Sequence, residues 1–455
     1  MSDAHQARRQ KLFAKFSEHA ALFAAGTHVP RNYAANTYPF RATSHFLYFT
    51  GVSLENAYLL LAGGEATLFV PEPTAADALW HGPQKGRDAL ANDTGCRVAY
   101  LDALPNALAG KRVATLPAID AATRDDQSRL LKREISPSAL TNLDLELADA
   151  VIALRLVHDD HAQSEMRRAA ATTALAHAAG MRATRAGLRE SDVRAAMETP
   201  ILADGGSTAY GSIVTTHGEV LHNNHYENTL VAGDLLLADV GAESAGGFAG
   251  DVTRTWPVSG RFSSTQRAYY EVVLRAQKKA IAAVAPGVRY RDVHLLASTE
   301  LASGLCELNV LRGDPKELVA NGAHALFFPH GIGHLIGLDV HDMEDLGDRA
   351  GYASGRTRSA QFGLSYLRLD RDLEEGMAVT IEPGLYHVPA IFEHPEYKKL
   401  VDAHVNTTEL RKFKDVRGIR IEDDVLVTKS GNDVLTRSIV KEAADVENAV
   451  GGASA

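Results

Sequence analysis

The sequence has little cysteine and no long hydrophobic run, and both features restrict the class of protein. Only Cys96 and Cys306 occur among its 455 residues, which excludes a disulfide framework and a cysteine-rich metal cluster. No apolar run reaches the roughly 18 residues that a membrane-spanning helix needs. The basic opening turns also lack the apolar core of a signal peptide. We therefore expect a cytoplasmic protein with no membrane partner.

Positive charge and nucleotide-binding motifs are scarce as well. The formal net charge of −10 at pH 7 argues against nucleic acid as a partner. No G-x-G-x-x-G motif follows a predicted strand, and no Walker lysine is present. The remaining composition, with 45% hydrophobic and 23% charged residues, is that of a globular protein. A chain of this length predicts two domains or more.

The first part of the chain, residues 1–157, is predicted to form an α/β domain with a mixed sheet. Residues 3–25 have helical spacing. Residues 57–61 and 66–71 predict a β-hairpin that turns at Gly63-Gly64. Further strands and helices alternate up to the end of this domain, a pattern typical of α/β structure.

The second part of the chain, residues 158–445, is predicted to be an α+β domain. A long helical pattern begins near Ser164, and a second helix is predicted over residues 264–285, with Ser263 at its N-terminal cap. Short apolar strands follow between further helices. The small and polar residues 446–455 predict a flexible tail.

Two carboxylates lie on adjacent predicted strands near the middle of the chain. The apolar run 235–240 predicts a buried strand with Asp239 at its end. A second strand-like run begins at Asp251, and its alternation puts Thr253 on the same face. Two inward carboxylates on neighbouring strands would repel each other unless a cation lay between them. We interpret the pair as half of a metal site.

Three later stretches carry further candidate ligands. Glycines between His330 and His334 disfavour a regular helix, so a loop is predicted to bring these histidines to one place. Glu382 ends an apolar strand just before a Pro-Gly turn. In the last stretch, the period of a strand puts Arg420 and Glu422 on one face.

Each of these residues has an ordinary structural explanation when it is taken alone. An aspartate at a strand end usually forms a turn, a lone buried histidine is usually hydrogen-bonded in the core, and Glu beside Arg is usually a cross-strand ion pair. The joint pattern is harder to explain in this way. An oxygen-rich set with one imidazole suits two divalent cations such as Mn²⁺, with Co²⁺ or Zn²⁺ as alternatives. The set is Asp239, Asp251, His334, Glu382 and Glu422.

In this order, the residues resemble the ligand set of the pita-bread metallopeptidases, in the proline-specific branch of aminopeptidase P and prolidase. The first half, with Tyr38-Pro39-Phe40-Arg41 and residues 46–51, is similar to the N-terminal domain of aminopeptidase P. The resemblance implies an α+β fold: a C-terminal pita-bread (creatinase/methionine aminopeptidase-like) domain preceded by an α/β creatinase-type N-terminal domain.

The resemblance also implies an activity and its partners. The expected enzyme is a dinuclear-metal exopeptidase that hydrolyses the Xaa-Pro bond at the N-terminus of peptides through a hydroxide between the metals. Its substrates would be small peptides with proline in the second position. Relatives assemble as dimers or tetramers, which implies a homo-oligomer.

The roles of the site residues follow from the same resemblance. Asp239 would chelate one metal, Asp251 and Glu422 would bridge both, and His334 and Glu382 would complete the other. Glu382 would also shuttle the proton from the attacking water to the leaving nitrogen. The remaining roles are His222 near the scissile amide, His341 at the developing oxyanion, His330 on the proline side, and Arg420 and Tyr210 orienting the carboxylates.

Two departures from aminopeptidase P keep an alternative open. The stretch from Asp239 to Asp251 is one residue longer than is usual in the family. Glu382 and Glu422 are 40 positions apart, as in prolidases, and Arg368 falls where prolidases hold the free carboxylate of a dipeptide. The alternative function is therefore an Xaa-Pro dipeptidase (prolidase), with phosphotriester hydrolysis as a side activity. A metal-free pita-bread binding module is disfavoured because all the ligands are present.

Overall fold

The chain divides into two units between His161 and Ala162. The computed structural model describes residues 2–451. Among these residues, no helix combines the length and the apolar character that crossing a membrane requires.

The first unit is built around one five-stranded sheet. The strand order is β4-β3-β2-β1-β5, in which β1–β2 and β2–β3 are antiparallel while β1–β5 and β3–β4 are parallel. The predicted mixed sheet is therefore confirmed. The elements are α1 (Ser2–Lys15), β1 (Ala20–Ala24), α2 (Ser44–Thr50), β2 (Tyr58–Ala62), β3 (Glu65–Val70), α3 (Ala75–His81), α4 (Arg87–Thr94), β4 (Arg97–Tyr100), α5 (Leu104–Leu108), β5 (Val113–Thr115), α6 (Ala121–Leu131) and α7 (Asn142–Arg155).

The predicted hairpin is confirmed, whereas the predicted first helix is only partly right. Ala62 pairs with Glu65, and Gly63 and Gly64 adopt φ of 60° and 83°, as a two-residue hairpin turn requires. The helix predicted over 3–25 ends at Lys15, and Ala20–Ala24 forms a strand. All five residues of that strand are buried, and a short apolar run buried on both faces cannot be told from a buried helix by its periodicity.

The second unit combines small sheets with long helices, so the predicted α+β class is confirmed. Its strands pair in the orders β10-β8-β7, β11-β14-β15, β12-β13 and β6-β9. The elements are α8 (Asp160–Ala183), α9 (Glu190–Ala203), β6 (Ser207–Thr208), β7 (Ile213–Thr215), β8 (Leu235–Asp239), β9 (Ala242–Glu243), β10 (Thr253–Pro257), α10 (Ser264–Ala283), α11 (Tyr290–Glu307), α12 (Pro315–Ala320), α13 (Asp348–Gly351), β11 (Ala378–Ile381), β12 (Gly384–Tyr386), α14 (Pro389–Glu393), α15 (Lys398–His404), α16 (Thr407–Leu410), β13 (Gly418–Arg420), β14 (Asp423–Thr428), β15 (Gly431–Val434) and α17 (Ala443–Ala449).

The start of helix α10 and the position of helix α17 can be compared with the sequence predictions. At the start of α10, Ser263 accepts a hydrogen bond from the backbone of Gln266, and the Gln266 side chain accepts one in return, which confirms the predicted cap. Residues 446–449, which fell within the predicted flexible tail, belong to helix α17. They are ordered because Val446 and Val450 are buried. Residues 452–455 of that tail lie outside the described residues.

Candidate metal centre

Strand pairing brings the candidate carboxylates to one place. In the antiparallel pair β8–β10, Asp239 lies opposite Thr253, and Asp251 precedes β10 by two residues. In the pair β11–β14, Ile381 lies opposite Asp423, so the residues just outside that register, Glu382 and Glu422, are also neighbours. The backbone N–H of Glu422 donates to Thr253 O at 3.0 Å and thereby joins the two strand pairs.

The histidine-rich segment is an irregular loop that runs against β11, as the glycines predicted. The backbone N–H of His334 donates to Thr380 Oγ1 at 3.1 Å, and the N–H of Thr380 donates to His334 O at 3.0 Å. A Cβ at Gly333 would collide with the Thr380 carbonyl oxygen and with the hydroxyl of Tyr290. Glycine is needed at this position because the loop approaches the strand so closely, and this approach sets the position of His334.

The candidate ligand atoms converge in the interior. One ligand atom from each of Asp251, His334 and Glu422 lies within 4.8 Å of those of the other two. His334 Nε2 is 3.4 Å from Asp251 Oδ2 and 3.8 Å from Glu382 Oε1. His334 Nδ1 is 2.9 Å from the carbonyl oxygen of Leu335. When Nδ1–H donates to that carbonyl, Nε2 is the ring atom that faces the carboxylates, as a donor to Asp251 when it is protonated and as a metal ligand once it has lost its proton.

Arg420 and Tyr210 orient Asp239, the fifth candidate ligand. The Tyr210 hydroxyl donates to Asp239 Oδ1 at 2.6 Å, and Arg420 Nη2 donates to Asp239 Oδ2 at 2.6 Å. Arg420 Nε also donates to Thr253 Oγ1 at 2.9 Å, and that hydroxyl donates to Glu422 Oε2 at 2.6 Å. Hydrogen bonds therefore connect the carboxylates of Asp239 and Glu422 through Arg420 and Thr253.

The pKa values of the carboxylates in this cluster are shifted because negative charge is crowded in a site with little water. Burial, followed by the charge of Asp251, raises the pKa of Glu422 well above its usual value, and burial raises the pKa of Glu382 to about 7. Burial also raises the pKa of Asp239, against the opposing effect of Arg420. For Asp251, burial is outweighed by the hydrogen bond and charge of His334, so its pKa is lowered.

This donor set fits a pair of divalent cations. Asp251 and Glu422 are buried, and Asp239 and Glu382 are half-buried. These four carboxylates face one guanidinium and one imidazole, and two M²⁺ ions would offset their charge. His334 Nε2 faces the same carboxylates and can bind a cation once it has lost its proton. Oxygen-rich sites with one nitrogen ligand suit hard or borderline ions such as Mn²⁺.

The cluster forms part of the wall of a cavity of about 530 Å³. Its lining includes the five candidate ligands together with Arg420, and also His222, His330, His341 and Arg368. Tyr210 reaches the site through its bond to Asp239. The structure thus brings together all the residues that the sequence singled out. Apolar and aromatic side chains complete the lining: Leu221, Pro329, Phe362, Tyr366, Ile391 and Tyr397.

Three residues of the site were not found from the sequence. The Tyr386 hydroxyl accepts from Arg420 Nη1 at 3.1 Å and lies 2.9 Å from His330 Nε2. Asp424 Oδ2 accepts from the backbone N–H of Asp251 at 3.0 Å. Glu344 contacts both His341 and Arg368. Strand alternation offered a signal for Asp424, two positions after Glu422. The contacts of Tyr386, and that of Glu344 with Arg368, join segments that are distant in sequence.

Two family profiles match the chain. The profile of metallopeptidase family M24 matches residues 164–429, which is more than half of the chain. The profile of the aminopeptidase P N-terminal domain matches residues 5–115. The first match covers all the candidate ligands, and the second lies within the unit that contains the five-stranded sheet.

Individual relatives agree with these profiles. The Xaa-Pro aminopeptidase of Escherichia coli is 32% identical over 97% of this chain and 96% of its own length. Human Xaa-Pro dipeptidase is 30% identical over 87% of this chain and 82% of its own length. The structure of proline aminopeptidase P II from Yersinia pestis superposes with a TM-score of 0.81 at 31% identity, covering 99% of each chain. The chain therefore belongs to metallopeptidase family M24 and is a metallo-exopeptidase with the N-terminal and catalytic domains of the aminopeptidases P.

Proposed function

We propose that this protein is an Xaa-Pro aminopeptidase, which removes the N-terminal residue from peptides with proline in the second position. The observation that carries the proposal is the convergence of Asp251, His334 and Glu422 within 4.8 Å of one another, at the wall of a cavity large enough for a short peptide. The similarity to Xaa-Pro aminopeptidases over nearly the whole chain supplies the substrate class.

The metal pair would be held by the five converging side chains. Asp239 would bind one ion, Asp251 and Glu422 would bridge the two, and His334 and Glu382 would complete the second. When bound, two divalent ions supply Lewis-acid polarisation of the scissile carbonyl and an acidified water. We propose Mn²⁺ as the physiological ion because four of the five ligands are carboxylates.

Glu382 is proposed to move the proton. It borders the cavity, and its Oε2 lies 3.9 Å from His330 Nδ1. In this role Glu382 takes the proton of the attacking water and delivers it to the proline nitrogen, which is a poor leaving group until it is protonated. His330, with Phe328 packed edge-to-face against it, borders the space for the proline ring.

The other cavity residues are proposed to bind and orient the substrate. His222 would donate to the scissile amide, and His341, whose ring lies 4.0 Å from that of His334, would stabilise the oxyanion. Arg420 and Tyr210 would fix the carboxylates by the hydrogen bonds described above. We further propose that the protein acts in the cytoplasm as a homo-oligomer, as the resemblance implies.

A direct assay tests this function. The metal-stripped protein is supplied with Mn²⁺ and given Xaa-Pro-Xaa tripeptides, and release of the N-terminal residue is measured by chromatography. Asp251→Ala serves as the control because it removes a bridging ligand. We expect metal-dependent release by the wild type and a loss of at least roughly 10³-fold in the variant. Failure of the wild type to release that residue with Mn²⁺, Co²⁺ or Zn²⁺ would contradict the proposal.

A second candidate function is Xaa-Pro dipeptidase (prolidase). Two observations favour it: Arg368 lines the cavity, and the connection from β12 to β13 contributes Ile391 and Tyr397 to the lining. The human dipeptidase is also similar over most of its length. The same assay, run in parallel on Xaa-Pro dipeptides, decides between the two, because turnover confined to the dipeptides would replace the aminopeptidase assignment with the dipeptidase.

A further inference from the structure

One carboxylate beside the cavity, Glu344, has no role in the mechanism above. Its Oε2 accepts a hydrogen bond from Arg368 Nη1 at 2.6 Å and lies 3.1 Å from His341 Nδ1. Arg368 and His341 line the main cavity, whereas Glu344 lines a smaller cavity of about 80 Å³. The two cavities share Arg368 and His334 as lining residues. Glu344 therefore contacts both Arg368 and His341 from the side of the smaller cavity.

The backbone on both sides of this contact is held in place. The N–H of Glu344 donates to His341 O at 3.3 Å, and buried Met343 between them has a φ of 60°. This tight turn returns the Glu344 side chain towards His341. On the other side, the carbonyl oxygen of Leu367 accepts from the Tyr352 hydroxyl at 2.6 Å and fixes the segment that carries Arg368. The pairing of Glu344 with Arg368 is thus built into the fold.

Pairing changes what Arg368 can bind. A guanidinium beside a carboxylate carries little net charge as seen by a third group, so it attracts a further carboxylate weakly. Glu344 accepts from Nη1, and the other N–H donors of the guanidinium remain available for a neutral peptide carbonyl. A substrate carboxylate that approached Arg368 would also approach the like charge of Glu344.

We propose that Glu344 determines substrate length, because it neutralises Arg368 and so disfavours peptides that end in a free carboxylate directly after the proline. Peptides that continue beyond the proline present a neutral carbonyl at this point and are favoured. The inference rests on the proposed Xaa-Pro hydrolysis and adds a specificity-determining residue to it. If Glu344 instead oriented Arg368 to clamp a carboxylate, its removal would weaken dipeptides most.

The test compares two substrates that differ only in charge, Xaa-Pro and its C-terminal amide, with the Mn²⁺-loaded protein. The readout is the ratio of kcat/KM for the acid to kcat/KM for the amide. In Glu344→Gln, this ratio is expected to rise about three- to fivefold, the effect of releasing one partly exposed ion pair. Glu344→Gln also changes the contact with His341, but this change affects kcat/KM for both substrates alike. It therefore does not alter the ratio.

Three further variants make the result specific. Glu344→Asp keeps the charge and should leave the ratio near that of the wild type. Glu375→Gln removes one charge from an exposed position outside the cavity lining and should leave the ratio unchanged. In an Arg368→Gln background, the change Glu344→Gln should no longer alter the ratio, because its partner is missing.

The outcomes separate this inference from the proposed function. A wild type that hydrolyses neither the acid nor the amide refutes the proposed function itself. A wild type that hydrolyses the amide, with a ratio that stays constant or falls in Glu344→Gln, overturns the role of Glu344 alone. A rise in the ratio that persists in the Arg368→Gln background also overturns it, since the effect would then not act through Arg368.

Discussion

Replacement of Arg254 by methionine is expected to destabilise the catalytic unit severely. Arg254 is fully buried in β10, and its Nη2 donates to Asp423 Oδ1 at 2.8 Å. Its other donors reach the carbonyl oxygens of Thr253 and Ile439, both at 3.0 Å, and that of Glu422. The Arg254 side chain therefore connects β10, which follows the candidate ligand Asp251, to the segment that carries the candidate ligand Glu422.

The magnitude follows from what the substitution leaves behind. Methionine fills the volume of the aliphatic stem but removes every donor, so Asp423 keeps only its bonds to Lys441, Gln277 and Thr436. Removing one partner of a buried ion pair typically costs about 3–5 kcal/mol of unfolding free energy when the other charge is left uncompensated. Because Lys441 stays paired with Asp423, we expect a cost at the lower end of this range. Because Glu422 also loses an anchor at its backbone, we expect metal affinity to fall roughly 10–100-fold.

Tryptophan fluorescence during urea unfolding measures this effect. The protein has two tryptophans. Trp256 is fully buried in β10, while Trp80 is 76% exposed, so the signal change reports mainly on the unit that contains Arg254. We expect the urea midpoint to fall by about 1 M or more. Arg437→Met, at an exposed arginine, is the matched control and should change stability by less than about 0.5 kcal/mol. A midpoint for Arg254→Met no lower than that of the control would refute the reasoning.

Three other predictions concern two single substitutions and the pH dependence of stability. Tyr210→Phe removes the donor to Asp239 and should lower kcat/KM roughly 10–100-fold while the fold, followed by circular dichroism, stays intact; an unchanged kcat/KM would contradict it. Gly333→Ala pushes the histidine loop off β11 and should abolish metal binding in calorimetric titration; retained affinity would show that the loop adapts. Burial lowers the pKa of His294 to about 3 and of His324 to about 4, so both are neutral when folded. Stability should therefore fall as the pH drops from about 6.5 towards 4, by up to roughly 1.4 kcal/mol per pH unit for each histidine; a urea midpoint that is flat over this range would contradict that expectation.

Parts of the fold with a local signal were predictable from the sequence. The hairpin at Gly63-Gly64 followed from turn residues that only one geometry accommodates. The start of α10 followed from the cap at Ser263. The error at residues 20–24 has a physical cause, because burial on both faces of a central strand removes the alternation that would distinguish it from a helix.

The candidate site, like the fold, could be predicted from the sequence only in part. Asp239, Glu382 and Glu422 lie at or beside strand ends, and their joint pattern with Asp251 and His334, rather than any one of them alone, indicated the site in the sequence. Tyr386 gave no such sign, and neither did the pairing of Glu344 with Arg368, because these partners are distant in sequence and meet only through the tertiary fold. Glu344 and Arg368 are separated by 24 positions and lie in different segments of the chain. Contacts of that kind become visible only in the folded structure.

The metal stoichiometry of the purified, chelator-stripped protein tests the central claim most directly. Calorimetric titration with Mn²⁺ is expected to give two ions per chain for the wild type, and no tight binding for Asp251→Ala, which removes a carboxylate proposed to bind both ions. Two tightly bound ions in Asp251→Ala, or none in the wild type with any of Mn²⁺, Co²⁺ and Zn²⁺, would contradict the account of the site.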